Sequence, residues 1–129
     1  MKITTFLTFV GNQCGKAKEA IRFYTSIFPN SEIKSIVNYK KGEDGGTPEL
    51  IKYGVFALNG TEYMVSESNY NHHWSFTPGV SIFVSDNSED FIRILFEKLS
   101  LFIPRYQDAN IPRYCYGTVY LPLIYSVIH

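Results

Sequence analysis

The chain has 129 residues and a mass of 14.8 kDa; 45% are hydrophobic, 19% are charged, and 12 basic residues balance 12 acidic ones. A chain of this length buries roughly two thirds of the surface it exposes when unfolded, which is enough for one domain with its own core. The composition excludes a disordered or collagen-like chain, the zero net charge argues against a nucleic-acid partner, and no apolar run reaches the ~18 residues of a bilayer span.

Residues 3–10 mix Thr with β-branched and aromatic side chains, which suits a half-buried strand ending at Gly11-Asn12. A helix is expected next. Between residues 16 and 28, Ala17, Ala20, Ile21, Tyr24, Ile27 and Phe28 recur every three or four positions, and Pro29-Asn30 ends the pattern. Residues 32–39 alternate as a strand, with Ile33, Ser35 and Val37 expected on one side and Lys34, Ile36 and Asn38 on the other. Residues 41–46 form a glycine-rich loop.

Asn59-Gly60 sits between two strand-like runs, 50–58 and 61–66, and both residues tolerate the positive φ that a type I′ hairpin turn requires. That turn sets Leu58 opposite Thr61, Phe56 opposite Tyr63, Gly54 opposite Val65 and Lys52 opposite Glu67. An ion pair between Lys52 and Glu67 is the expectation that follows. Further along, residues 80–84 read as a strand, Asn87 or Ser88 as a helix cap, and Phe91, Leu95 and Leu99 as the buried stripe of a second helix with Lys98 in its last turn. The strand-helix order thus occurs twice, about seventy residues apart, which suggests a duplicated half-domain.

Beyond residue 100 the composition changes: 29 residues hold three of the 24 charges and three of the six prolines. Residues 116–120 and 123–128 could form strands, although the prolines place them at edges. This segment is expected to be the least stable part of the fold.

The run from Phe6 to Ser31, FLTFVGNQCGKAKEAIRFYTSIFPNS, resembles the opening of PhnB-like proteins. Three later pieces, residues 58–64, 76–84 and 95–99, resemble the same group's strand-turn-strand, second-module strand and second helix. PhnB-like proteins belong to the vicinal-oxygen-chelate superfamily, with glyoxalase I, extradiol dioxygenases and bleomycin-resistance proteins. The resemblance implies an α+β fold of paired βαβββ modules, 1–75 and 76–129 in one domain, with the second module incomplete or atypical from residue 101. A homodimer is implied too. After Leu101 the family's glycine-rich closing strands are missing apart from Gly117, through divergence of the lineage or an altered coding frame.

Metal-using relatives place a ligand on the first strand of each module and one at the end of each module's last strand. Thr5 and Gly79 fall at the two first-strand positions and cannot ligate well; Glu67 falls near the third, and the fourth lies in the atypical tail. No metal and no cofactor are therefore expected. His72 and His73 are adjacent on a polar stretch, which is poor ligand spacing. Cys14 precedes the first helix, where a dipole and Lys16 could activate a thiol, but no His partner is near in sequence; both it and Cys115 are expected to be free.

PhnB-like proteins are often labelled demethylubiquinone methyltransferases, yet this sequence lacks the glycine-rich strand-to-helix turn of a doubly wound methyltransferase. Thr5, Tyr63, Glu67, Trp74 and Phe83 are the side chains expected to reach a cleft and contact a small-molecule ligand. The leading expectation is a cytoplasmic, small-molecule-binding protein without an intact metal site, the start of the chain having no secretory apolar region. An enzyme of the same superfamily and an altered, non-functional product are the alternatives.

Overall fold

The structure, a computed structural model, describes residues 1–76, 81–102 and 118–122. The chain divides into two units, Met1–Ser75 and Phe76–His129. The first unit runs β1 (Thr5–Phe9), a 3-10 turn (Gly11–Gln13), α1 (Ala17–Ile27), β2 (Glu32–Asn38), β3 (Ile51–Leu58) and β4 (Thr61–Glu67). Its sheet has the order β1-β4-β3-β2, with β1 parallel to β4 and the other pairs antiparallel. This is one βαβββ module.

Alternation along the strands sorts the side chains into two faces. Paired residues share a face, so Leu7 with Val65, Phe9 with Glu67, and Phe56 with Tyr63 point to the same side. Leu7, Phe9, Val65 and Phe56 are buried there against α1, whose Ala17, Ala20, Ile21 and Tyr24 are also buried. Gly54 belongs to this layer because a Cβ would lie 3.0 Å from the Ser35 carbonyl oxygen and 3.1 Å from Val65 Cγ1.

The hairpin has the expected turn and register. Asn59 and Gly60 adopt φ of 48° and 82°, and Leu58 opposes Thr61, Phe56 opposes Tyr63 and Gly54 opposes Val65. The turn is held from outside, since the Gly60 N–H donates to the Asn30 carbonyl (3.1 Å) and the Asn59 N–H to Ser31 Oγ (2.9 Å). The end of α1 and the tip of the hairpin are therefore fastened together.

Strand β2 departs from simple alternation. Ile33 pairs with Phe56 and Ser35 with Val55, leaving Lys34 as an extra residue, so Ile33 and Ile36 end up half-buried on the same side. A second register shift falls at Lys52, because Val37 pairs with Tyr53 and Asn38 with Ile51. The β3–β4 ladder stops at Gly54–Val65. Lys52 consequently does not face Glu67, and its ammonium pairs with Glu43 instead.

The second unit contains β5 (Ser81–Ser85), α2 (Glu89–Phe102) and β6 (Thr118–Pro122), with β5 and β6 antiparallel. Among the described residues it therefore holds two strands and one helix, fewer than the first unit. Strand β6 overlaps the expected strand at 116–120; residues 103–117 and 123–129, including Cys115 and Gly117, lie outside the described residues, as does Gly79. Ile92, Leu95 and Leu99 are the buried positions of α2, with Phe91 only half-buried. The helix continues to Phe102, so Lys98 stands a turn before its end.

Of the two candidate caps, Ser88 does the capping: its Oγ accepts the Phe91 N–H at 3.2 Å, and its carbonyl accepts the Ile92 N–H at 3.1 Å. Ser88→Ala is expected to lower stability by about 1 kcal/mol, the usual loss for an N-cap hydroxyl, while Asn87→Ala changes little. Urea unfolding followed by far-UV circular dichroism distinguishes the two variants.

Candidate functional site

Glu67, at the end of β4, is 1% exposed. Its position beside Phe9 turns it toward the α1 side of the sheet, where Oε1 accepts the Gly15 N–H at 2.7 Å and the Ala17 N–H at 3.2 Å. Oε2 accepts the Ile51 N–H at 2.7 Å. Ala17 opens α1, and Lys16, the cap residue, provides no side-chain acceptor, so a carboxylate from fifty residues away serves the helix N-terminus. The backbone of Glu67 is also engaged: its carbonyl accepts the Tyr39 hydroxyl at 2.8 Å. One side chain thus ties together the starts of α1 and β3 and the end of β4.

This corrects the expected pairing of Glu67 with Lys52. The β3 irregularity at Lys52 interrupts the two-residue repeat that would have set them opposite each other, and the buried carboxylate finds backbone donors instead. Cys14 lies close by. Its thiol is raised above the ordinary value of 9.0, first by burial and then by the Glu67 charge, against a smaller opposing effect of the Gly15 N–H. The arrangement makes a poor nucleophile of it.

Thr5 and Tyr63 are partners in the β1–β4 pairing and stand on the same face as Glu67, toward the other end of the strands. Thr5 is exposed, whereas Tyr63 is half-buried and stacks on Phe56 with centroids 5.5 Å apart and planes inclined by 23°. Burial raises the Tyr63 phenol above its usual value. The opposite face carries Phe6, paired with Met64, and Tyr53, paired with Val37; Phe6 is 53% exposed and Tyr53 45%. These rings were not singled out from the sequence, although the alternation of residues 5–9 already separates Phe6 from Leu7 and Phe9.

Glu62, next to Tyr63 but on that other face, accepts both Lys2 and Lys34, the latter at 2.7 Å. The two ammonium groups lower its carboxyl from 4.5 to about 2. A carboxyl lowered on folding adds stability that is complete above pH 4.5 and lost as pH falls toward 2. Glu62→Gln is therefore expected to flatten the pH dependence of unfolding within that window. Added salt shrinks the difference because the pairs face solvent. Urea midpoints for both proteins across pH 2 to 5 are the measurement.

Trp74 lies in the segment after β4. It packs on His72, with centroids 4.7 Å apart, and His72 in turn meets Tyr70 edge-on at 6.4 Å. His72 Nε2 is 3.0 Å from Ser68 Oγ. Phe83 is on β5, in the second unit, and is 57% exposed. Of the five expected contact residues, Thr5 and Tyr63 adjoin, Glu67 is built into the backbone framework at the other end of the same strands, Trp74 packs in a row with His72 and Tyr70, and Phe83 lies on the second unit. Among the described residues, no three His, Cys, Asp or Glu side chains come together as metal ligands.

The βαβββ arrangement of the first unit and the strand-helix start of the second define an α+β protein of the glyoxalase type. A family profile described as 3-demethylubiquinone-9 3-methyltransferase matches residues 1–103, and the chain belongs to that PhnB-like family. A solved PhnB protein from Bacillus cereus, described provisionally as a 3-demethylubiquinone-9 3-methyltransferase, is 35% identical; the alignment covers 95% of this chain and 98% of that one, with a TM-score of 0.71. A protein from Staphylococcus aureus is 26% identical over 95% of this chain and 99% of its own, with a TM-score of 0.41. No curated protein matches the chain.

Proposed function

We propose that this PhnB-like protein binds a small, partly aromatic or apolar molecule, needs no resident metal or cofactor to do so, and works as a cytoplasmic homodimer. The observation that carries the proposal is the commitment of Glu67. Both of its oxygens are held by three backbone N–H groups, and the carboxylate is almost wholly buried. A carboxylate used in this way offers little to a divalent ion, which seeks several accessible oxygen or nitrogen donors. Thr5, Tyr63 and Trp74 are the proposed contacts, all on the first unit, with Glu67 keeping the framework in place. Dimerisation is carried over from the family and the compartment from the sequence reading above; among the described residues no helix is long and apolar enough to cross a membrane.

The methyltransferase activity in the Bacillus cereus protein's description gains no support from the first unit. Doubly wound folds hold their cofactors at the turn between the first strand and helix of a parallel sheet. Here the corresponding helix start is filled by Glu67, and three of the four strands are joined by antiparallel pairing.

A thermal-shift screen of aromatic and apolar compounds, with metal content measured on protein purified without chelators, tests the proposal. Ligands that raise the melting temperature of metal-free protein are the expected result. Tyr63→Ala and Trp74→Ala should each weaken binding by about 1–3 kcal/mol, the usual loss for an aromatic anchor. Stoichiometric Zn²⁺, Ni²⁺ or Mn²⁺, or metal-dependent turnover of an α-hydroxythiol or catechol, would overturn it.

A further inference from the structure

The segment that follows β4 presents Tyr70, His72 and Trp74 at alternate positions, and their rings touch in sequence, Tyr70 against His72 and His72 against Trp74. The two outer rings remain half open to solvent, Tyr70 at 50% and Trp74 at 54% exposed. The planes are inclined by 73° between Tyr70 and His72 and by 47° between His72 and Trp74, so the rings adjoin as facets of one aromatic patch on which a flat ligand stacks against Trp74 with the other two rings beside it.

The base of this row is fixed to the rest of the unit. The Ser68 N–H donates to the Phe9 carbonyl at 3.1 Å, and the Asn69 N–H to the Gly45 carbonyl at 3.0 Å. Ser68 Oγ is shared between the Tyr70 N–H at 3.3 Å and His72 Nε2 at 3.0 Å. The Tyr70 ring also lies against the backbone at Gly45, where an added Cβ would sit 3.3 Å from Tyr70 Cε2. A ligand stacking here would meet rings already held in place, which lowers the ordering cost of binding.

The chemistry of the row indicates what it would hold. The faces of indole and phenol carry negative potential, so they favour a flat, positively charged partner over a neutral one of the same shape. The carboxylate of Asp44 reinforces this at one end, through a hydrogen bond with the Tyr70 phenol that also raises the phenol above its ordinary value. We infer that the Tyr70-His72-Trp74 row is a stacking surface for a planar cationic heteroaromatic molecule. This deepens the proposed small-molecule function and rests on it, because it names the ligand class that Trp74 would contact.

Trp74 is the chain's single tryptophan, so its fluorescence reports on the row without labelling. The probes are N-methylquinolinium and neutral quinoline, titrated at pH 7.5 with N-acetyltryptophanamide as the control for collisional quenching. The expected result is saturable quenching by the cation, with binding at least about threefold tighter than for quinoline, the size of an exposed cation–π contribution. Tyr70→Ala and His72→Ala should each weaken cation binding by about threefold or more. Unfolding midpoints of the variants, measured in parallel, show whether they fold as the parent does. Equal affinity for the two probes, or variants that fold normally and bind as before, would overturn the inference. If other aromatic compounds then still raised the melting temperature, the general small-molecule proposal would stand while this surface would not. No binding by any compound would remove both.

Discussion

Glu67→Gln is expected to lower the unfolding free energy by about 3 kcal/mol, because a buried, charge-assisted acceptor is replaced by a neutral group. The substitution keeps the shape of the side chain but changes its hydrogen-bonding ability. Oε1 of Gln can still receive the Gly15 and Ala17 N–H groups, but its amide nitrogen must then face the Ile51 N–H, donor against donor. Turning the amide over moves the conflict to the helix start. Favourable interaction with the α1 dipole is lost in either orientation. Urea denaturation provides the test, read as a shift in midpoint at constant slope. A loss below about 0.5 kcal/mol would point to a solvated carboxylate like those of ordinary surface pairs. Replacing Lys52, whose partner is the solvent-facing Glu43, should change little by comparison.

Phe56→Ala is expected to cost more, about 3–5 kcal/mol, because it leaves a cavity in the middle of the first unit. Phe56 is 1% exposed, lies on a central strand between Ile33 and Tyr63, and supports the Tyr63 ring by stacking. Phe6→Ala provides the matching measurement. It removes the same side chain from the other face of the sheet, where Phe6 is 53% exposed, and should cost well under half as much. Equal losses at the two positions would contradict the division into a helix-covered face and an exposed one. Differential scanning calorimetry of the pair, run under identical conditions, is sufficient.

The elements of the first unit were legible because each rests on local signals. The stripe from Ala17 to Tyr24, the Asn59-Gly60 turn and the register it imposes on Phe56 and Tyr63 all depend on residues within a few positions of each other. What escaped was long-range or interrupted. Lys34 and Lys52 are extra residues in their strands, and nothing in their chemistry distinguishes them from ordinary solvent-facing lysines. Once Lys52 leaves the repeat, the partner of Glu67 cannot be found by counting. Its actual partners are backbone groups at residues 15, 17 and 51, which carry no side-chain signature. The aromatic row has a visible signal in the alternate spacing of Tyr70, His72 and Trp74, which the adjacent pair His72-His73 obscures because two neighbouring imidazoles read first as a question of ligand spacing. In the tail, the change of composition was readable and strand β6 overlaps the expected segment 116–120, although its partner β5 lies more than thirty residues earlier.

The parallel pairing of β1 with β4 also bears on how the first unit assembles. Leu58 and Thr61 of the hairpin are three residues apart, whereas Thr5 and Tyr63 are separated by 58. Closing the longer loop costs roughly 2–3 kcal/mol more in chain entropy, by the logarithmic dependence on loop length. The hairpin can therefore form early and β1 is recruited late, when a surface already exists to receive it. Glu67 belongs to the same late stage, since its donors come from segments that converge only after β1 and α1 have docked. Its contribution is consequently expected mainly in the unfolding rate, with Glu67→Gln speeding unfolding and leaving the folding rate almost unchanged in stopped-flow measurements. The side chain that closes the module acts as a brake on its opening, which governs how long the native protein survives a transient challenge such as heat or protease.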